Sequence, residues 1–456
     1  MTMRRSVRRV LVGTGLVIAV ALPLGRAARA DQIPTGWTAR RMTAIGYTGL
    51  GGRGGAEKLA IKEANGRWYL YAGQLWTPGL SIVDVTDPTK PTLVKFIAGP
   101  ANTWMFQVDL HDNVLVTALQ QIGAGWGGDP KQPNDEGVLI WDISDPVNPK
   151  QLSHWKTGSS GTHRDGYPGG KYVNLAANMP GFTGQILVFL DITDPKNPRE
   201  AGRWWMPGQK DGEPPLEQPV SFHGPAIIDG NTAYAGYGPA VVVLDVSDIS
   251  KPKLIGQLDV SPPFGLDGVA VHDVLKIPGR PLLLAHSEAI AGDSPTAAYA
   301  AGKTCEEPLP LVGMVDLTNP AKPRLMSLFP TPAPPAGVPY KSFCDKGGRF
   351  GPHNTNLEYH LPEVEHRSDL IYMTYFNAGV RIFDISNPRV PNEVAWFVPP
   401  TPIKRYGLIP DQLVTQTEDV LVDRRGNIYI TDKQWGIFIL RQTPAGSAPP
   451  QRKTRK

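Results

Sequence analysis

Cysteine is scarce in this chain: the 456 residues include two, Cys305 and Cys344. No Cys-x-x-Cys pair or close histidine pair accompanies them, so the sequence lacks the ligand spacing of a thiolate zinc site. In an exported chain two thiols usually pair, because the compartment is oxidising. The sequence therefore predicts a disulfide bond between Cys305 and Cys344.

Long apolar runs are absent after the first 30 residues. Residues 10–24 are apolar, follow four arginines (Arg4, Arg5, Arg8 and Arg9) and precede a small-residue cleavage site ending at Ala30. This pattern predicts a signal peptide over residues 1–30 and a periplasmic or secreted protein. Arg8-Arg9 loosely resembles a twin-arginine signal, so both export routes stay open. No other stretch is long enough for a membrane span.

An excess of positive charge is also missing from the folded part. The formal net charge is +4, but residues 1–30 contain six arginines and no acid, and residues 452–456 contain four basic residues. Without these two segments the chain is acidic, which disfavours nucleic-acid binding. The basic end, within residues 442–456, is expected to be a disordered, solvated tail.

The chain repeats one phrase. A β-branched apolar run followed by a pattern close to Asp-(Val/Ile/Leu)-(Ser/Thr)-(Asp/Asn)-Pro occurs six times, at residues 80–91, 139–149, 187–198, 242–252, 312–323 and 380–391. Asp and Asn bond the backbone ahead of them and proline fixes φ, so each copy predicts a strand and a turn, with another short strand after it. Repetition at this spacing indicates one architecture built from copies of a supersecondary unit.

A seventh copy, residues 436–441, has no following strand. Residues 37–45 resemble the missing strand and belong to no other copy, so we expect them to complete the last unit. A ring closed in this way has no exposed sheet edge. The predicted fold is therefore all-β, a seven-bladed β-propeller over residues 31–441 closed by an N-terminal strand.

The repeated phrase resembles the LVIVD-repeat family of bacterial and archaeal surface or exported proteins. The resemblance covers nearly all of the mature chain. It implies a propeller and implies little about chemistry, because function depends on sites that a fold carries.

Three copies share a histidine at a comparable distance before the repeat aspartate: His163, His223 and His353. In a ring, equivalent positions converge near the axis, so these imidazoles are candidate ligands of zinc, copper, iron or manganese. At similar offsets other copies offer Glu57, Gln107, Asp267 and Glu418. The alternative is that the histidines brace the ring by bonding strand backbone, with no metal present.

Glu57, Glu418 and Asp165 are the candidate catalytic carboxylates, as general bases or additional ligands. Other histidines look weaker: His272 is interpreted as a strand-end brace. His286-Ser287-Glu288 is not interpreted as a nucleophile group, because adjacent strand residues point to opposite faces.

Two functions stay open. The first is a metal-dependent enzyme, an oxidoreductase or a hydrolase or lyase, acting on a small molecule. Aromatic residues beside the axial segments, among them Trp104 and Phe106, either line an apolar pocket for an aromatic molecule or are ordinary packing between blades. The second is a non-enzymatic module that binds a protein, glycan or surface. We expect a monomer in either case. Metal content separates the two functions.

Overall fold

The computed structural model describes residues 31–215, 220–260, 268–289, 311–408 and 412–444. The predicted signal peptide, Cys305, Asp267 and residues 445–456 lie outside these ranges, so the disulfide bond stays a prediction. Within the described ranges, no helix is both long enough and apolar enough to cross a bilayer. The chain is all-β apart from two short 3-10 turns, at Leu50–Gly52 and Ala124–Trp126.

Four-stranded antiparallel sheets repeat along the chain, with sequential strands hydrogen-bonded to one another. Three of them consist entirely of consecutive strands. These are β3 to β6 (Ala56–Ala64, Arg67–Gln74, Gly79–Asp84, Thr92–Ala98), β16 to β19 (Ile227–Asp229, Thr232–Tyr237, Ala240–Asp245, Lys253–Asp259) and β20 to β23 (Gly268–Lys276, Leu282–Ala289, Val312–Asp316, Arg324–Leu328).

A nine-stranded sheet contains two such units and one additional short strand, β7 (Thr103–Trp104), which pairs with the end of β9. The units are β8 to β11 (Val108–His111, Val114–Gln121, Gly137–Asp142, Lys150–Trp155) and β12 to β15 (Gly161–Gly166, Tyr172–Asn178, Gln185–Asp191, Arg199–Trp204). A single residue pair, Gly161 with Gln120, joins the two units between β12 and β9. The nine strands are thus two repeat units in edge contact.

The last two sheets each borrow a strand from the N-terminal segment. β1 (Thr38–Arg40) pairs with β26 in the sheet of β24 to β26 (Leu370–Thr374, Val380–Asp384, Asn392–Val398). β2 (Met42–Thr48) pairs with β29 in the sheet of β27 to β29 (Thr417–Val422, Ile428–Asp432, Gly436–Gln442).

The prediction for residues 37–45 is therefore confirmed in its second half, which lies beside β29. The first half pairs with β26 instead. Arg41, with φ 54°, lies between the two strands and redirects the chain from one sheet to the next.

The repeated phrase forms the turn between two consecutive strands of a sheet, namely β5–β6, β10–β11, β14–β15, β18–β19, β22–β23 and β25–β26. In each of the six copies the carboxylate at the end of the first of these strands accepts a hydrogen bond from the backbone N–H two residues later, at 2.8–2.9 Å. The acceptors are Asp84, Asp142, Asp191, Asp245, Asp316 and Asp384. The turn predicted from the Asp-x-(Ser/Thr) pattern is confirmed.

The apolar core lies between neighbouring sheets. Met42, Phe397 and Phe438, from three different strands, pack in one buried cluster between the last two sheets. The first strands of the units lie close together at the centre: β3 contacts β8 and β27, and β24 contacts β27. Side chains that leave these inner strands therefore meet around a common axis.

Candidate metal centre

Backbone irregularities on the inner strands direct histidines to the axis. His163 is the extra residue of a bulge in β12, where the register with β13 shifts between Thr162 and Arg164. His272 lies in a similar stretch of β20, where the register with β21 shifts between Val269 and Asp273. Bulges redirect side chains in this way and are common beside functional sites. His223 and His353 lie in the segments that precede β16 and β24.

The Glu288 carboxylate, near the end of β21, lies among these imidazoles. Its Oε2 is 3.3 Å from His272 Nε2 and 3.8 Å from His223 Nε2, and its Oε1 is 3.7 Å from His353 Nε2. His163 Nε2 lies 3.0 Å from His223 Nε2. Four imidazoles from four units thus present the same nitrogen toward one region.

Ligand atoms of His223, His272 and Glu288 all lie within 4.8 Å of one another, as do those of Glu57, His353 and Glu418. A third set, of His272, Asp273 and His286, meets the same distance limit. None of these groups contains two of the three histidines predicted from the repeats. His163 and His353 flank the group of His223, His272 and Glu288 on two sides.

Acceptors hold the opposite nitrogen of two rings. His163 Nδ1–H donates to Gln120 Oε1 at 2.7 Å, and His353 Nδ1–H donates to the Glu418 backbone carbonyl at 2.8 Å. His272 Nδ1 lies 3.1 Å from Asp273 Oδ2 but has no hydrogen bond of good geometry among the described residues. The first two contacts are therefore the ones that fix a tautomer. Such partners fix the tautomer that leaves the lone pair on Nε2, which is the arrangement of metal-ligating histidines.

Three cations surround the centre. Arg164 Nη2 donates to His272 Nε2 at 2.9 Å, and its Nη1 reaches Asp273 Oδ2 at 3.3 Å and Asn354 Oδ1 at 3.1 Å. Arg349 donates to Glu288 Oε1. Lys433 Nζ lies 2.7 Å from Glu418 Oε1, although neither oxygen of that carboxylate has a hydrogen bond of good geometry.

Burial keeps the imidazoles neutral. It lowers the pKa of His163 to about 3, with the Arg164 charge acting in the same direction. Burial, and then neighbouring imidazoles or Arg164, also hold the pKa values of His223, His272 and His353 well below the ordinary range. A neutral imidazole is the form that binds a metal ion.

The buried carboxylates respond in the opposite direction. Burial raises the pKa of Glu418 to about 8, although Lys433 opposes it, and burial also raises the pKa of Glu57. Glu57 Oε2 is buried and has no hydrogen-bond partner among the described residues. A cation would favour ionisation of both groups.

A cavity of about 320 Å³ opens beside the centre. Polar groups of the centre form one wall, and the other wall is Leu75, Trp104, Phe106 and Trp126. Trp126 stacks with Trp76 at a centroid distance of 6.0 Å and meets Trp104 edge-on at 5.6 Å. The volume lies at the lower end of the range for small-molecule sites, which are mostly apolar with a few fixed polar groups.

Comparison with known proteins identifies the repeat. The LVIVD repeat family model matches residues 54–97, 227–260 and 369–397. The chain carries LVIVD repeats. No curated protein matches the chain.

Solved structures similar to this LVIVD-repeat chain show its fold. The β-propeller domain of Cps50 (Swd1) from Myceliophteria thermophila is 11% identical, with a TM-score of 0.52 and 86% of this chain and 97% of that chain covered. YCF48 bound to D1 peptide is 7% identical (TM-score 0.48; coverage 92% and 100%). PpgL, a periplasmic gluconolactonase of Pseudomonas aeruginosa, is 10% identical (TM-score 0.48; coverage 90% and 98%). The first of these shows that the fold is a β-propeller.

The structure places five of the six predicted metal and catalytic residues in the axial cavity. His163, His223, His353, Glu57 and Glu418 all line it. Asp165 lines a second cavity, of about 320 Å³, together with Lys58 and Asp109. Its catalytic role stays a prediction. Burial, and then the charge of Asp109, raise the pKa of Asp165 well above its usual range.

Sequence reasoning missed His272, Glu288 and the three cations. Interpreting His272 as a strand-end brace overlooked the bulge that brings it to the axis. The sequence did contain a signal for Glu288. It lies two residues after His286 on one strand, so the pattern predicts a carboxylate and an imidazole on the same face of the sheet. For Arg164 and Arg349 the sequence offers no signal, because the partners His272 and Glu288 are more than 60 positions away. Lys433 lies beside Glu418 because β27 and β28 pair in one sheet, so a hairpin prediction for these strands could have found it.

Proposed function

We propose that this LVIVD-repeat protein is a metal-dependent enzyme. The ion is held by His223, His272 and Glu288, with His163 as the fourth ligand and His353 facing the same carboxylate. The observation that supports this most strongly is the set of Nε2 atoms around Glu288, with the rings of His163 and His353 held from behind at Nδ1. A bracing histidine bonds strand backbone, as His353 Nδ1 does. The Nε2 atoms of His163, His272 and His353 instead meet other side chains.

Arg164 has to yield one contact when the ion binds. Its Nη2 now donates to His272 Nε2, the lone pair that the ion requires. Asp273 and Asn354 continue to hold the guanidinium through Nη1. Loss of the His272 contact therefore leaves no buried charge without a partner, which would otherwise be costly.

Formal charge favours one divalent ion over two. Glu57, Glu288 and Glu418, when ionised, face Arg349 and Lys433, which leaves one net negative charge. One divalent ion changes this to one net positive charge, whereas a second ion would add two more in a buried site. Imidazoles with carboxylates suit zinc, copper, iron or manganese.

The substrate space is the cavity between the centre and the tryptophans. Its wall of Leu75, Trp104, Phe106 and Trp126 suits a small apolar or aromatic molecule. A bound ion would polarise a substrate oxygen or activate water. Glu57, with a free buried oxygen on the same cavity, is the candidate general base, and Glu418 orients His353. The metal present distinguishes oxidation, which needs copper, iron or manganese, from hydrolysis, for which zinc suffices.

The architecture and the location belong to the same proposal. Four-strand units repeat seven times when the nine-stranded sheet is counted as two, and β1 and β2 complete the last two units. These pairings support a seven-bladed ring closed by the N-terminal segment. With residues 1–30 acting as an export signal, the mature protein is periplasmic or secreted.

The test is elemental analysis of the purified full chain and of histidine variants. We expect about one transition-metal ion per chain, and we expect H223A and H272A to lose it while keeping the far-ultraviolet circular dichroism of the parent. H154A is the matched control, because His154 lies on the outer strand β11 and contacts the Glu136 carbonyl. A metal-free parent, or equal loss of metal in H154A, would favour the non-enzymatic binding module.

A further inference from the structure

The second cavity shares no lining residue with the cavity beside the metal centre. Arg164 and Asp165 are consecutive on β12; Arg164 lines the first cavity and Asp165 the second. The Arg164 guanidinium, tied to Asp273 and Asn354, lies between the two spaces. A ligand in the second cavity therefore has no direct contact with the metal centre.

Four carboxylates line this cavity, together with the ammonium groups of Lys58 and Lys276 and the imidazoles of His360 and His366. Asp109, Asp165 and Glu358 all line it, and all are buried. Lys58 is the buried cation among them. It is already paired with Glu358 and lies 3.4 Å from Asp419, which adds another carboxylate to the same network.

Some of these oxygens already have partners. Asp109 Oδ2 accepts from the Tyr167 N–H at 2.6 Å, and its Oδ1 lies 3.1 Å from His360 Nε2. Both carboxylate oxygens of Asp165, which is 6% exposed, and Oε2 of Glu358 have no hydrogen-bond partner among the described residues. Buried acceptors without donors are rare in native structures and call for a partner.

The rest of the wall is apolar or aromatic. Ile227, Leu275 and Leu357 line it, together with the rings of Tyr167 and Tyr359. Aromatic faces attract cations, and aliphatic side chains favour an apolar ligand body.

We propose that this cavity is a binding site for a small organic cation, a primary ammonium with an apolar body. The ammonium donates to Asp165 and Glu358, and the body lies against Ile227, Leu275 and Leu357. An anionic ligand would meet the excess of carboxylates, and a neutral ligand would leave most of the acceptors without donors.

The test is calorimetric titration of the full chain with 2-phenylethylamine. The alcohol 2-phenylethanol has the same body without the charge. We expect the amine to bind at least about tenfold more tightly than the alcohol. The hydrogen bonds of the ammonium to charged carboxylates contribute enough binding free energy for a ratio of this size. The proposal is overturned if the titration shows no heat of binding at amine concentrations up to about 10 mM, or if the alcohol binds with the same affinity as the amine.

Variants locate the bound amine. D165N should weaken amine binding at least about tenfold, whereas D194N, the same change on an exposed repeat turn, should leave it unaltered. H223A should keep amine binding; loss there would place the amine in the other cavity and overturn the proposal. If D165N does not fold, I227W is the replacement test. It fills part of the same cavity without changing its charge, and we expect it to abolish amine binding. Unchanged affinity in I227W contradicts the proposal.

Discussion

Gln120 offers a test of the metal centre that leaves every proposed ligand in place. Its Oε1 accepts the Nδ1–H of His163 at 2.7 Å and so keeps the lone pair of that ring on Nε2. Q120L keeps similar bulk and removes the acceptor. Loss of such a partner typically lowers metal affinity about 10–100-fold, or about 1.4–2.7 kcal/mol. Competition against a chelator of known affinity measures the change directly.

The matched control is Q185L. Gln185 lines the same cavity, and its side chain has no hydrogen bond to a histidine among the described residues. We expect its metal affinity to stay within about twofold of the parent. If Q120L also binds metal with the parent affinity, His163 is not held for ligation and the ligand set is wrong.

Three further predictions concern the fold. M42A should lower the free energy of unfolding, measured with urea, by about 2–5 kcal/mol, because Met42 of β2 is 1% exposed. A decrease below about 1 kcal/mol would mean that β2 does not pack against the folded sheets. Burial lowers the pKa of Lys346 from 10.5 to about 7, so the unfolded chain binds more protons between these values and stability rises with pH across that window. K346M should remove this pH dependence of the unfolding free energy and raise that free energy at pH 6 by at most about 5 kcal/mol. The Asn377 carbonyl loses its donor in this variant, which reduces the gain by about 1–3 kcal/mol. An unchanged pH dependence refutes the assignment. Cys305 and Cys344 should give no free thiol in the unfolded, unreduced mature protein, and two titrated thiols exclude the bond.

The repeat predicts most of the architecture because its chemistry is local. The Asp-x-(Ser/Thr) turn needs only a side chain and an N–H two residues away, and all six copies form it. The N-terminal strand is harder, since its two halves pair with different sheets. Arg41, where the chain changes direction, has no sequence signal for a positive φ.

The site is only partly predictable for a related reason. His163, His223 and His353 follow from their equivalent positions in three copies, but they do not form one compact group. His272 reaches the axis through an irregular stretch of β20, so its offset differs from theirs. Arg164 and Arg349 are placed by contacts with residues more than 60 positions away, and such contacts leave no pattern in one sequence.

Anomalous diffraction from crystals of the purified protein, collected at the absorption edge of the metal that elemental analysis identifies, tests the central claim most directly. The account predicts one axial peak about 2.0–2.2 Å from Nε2 of His223, Nε2 of His272 and a Glu288 oxygen, with His163 as the next ligand. A metal peak away from these side chains, or none in protein with intact axial histidines, would contradict it.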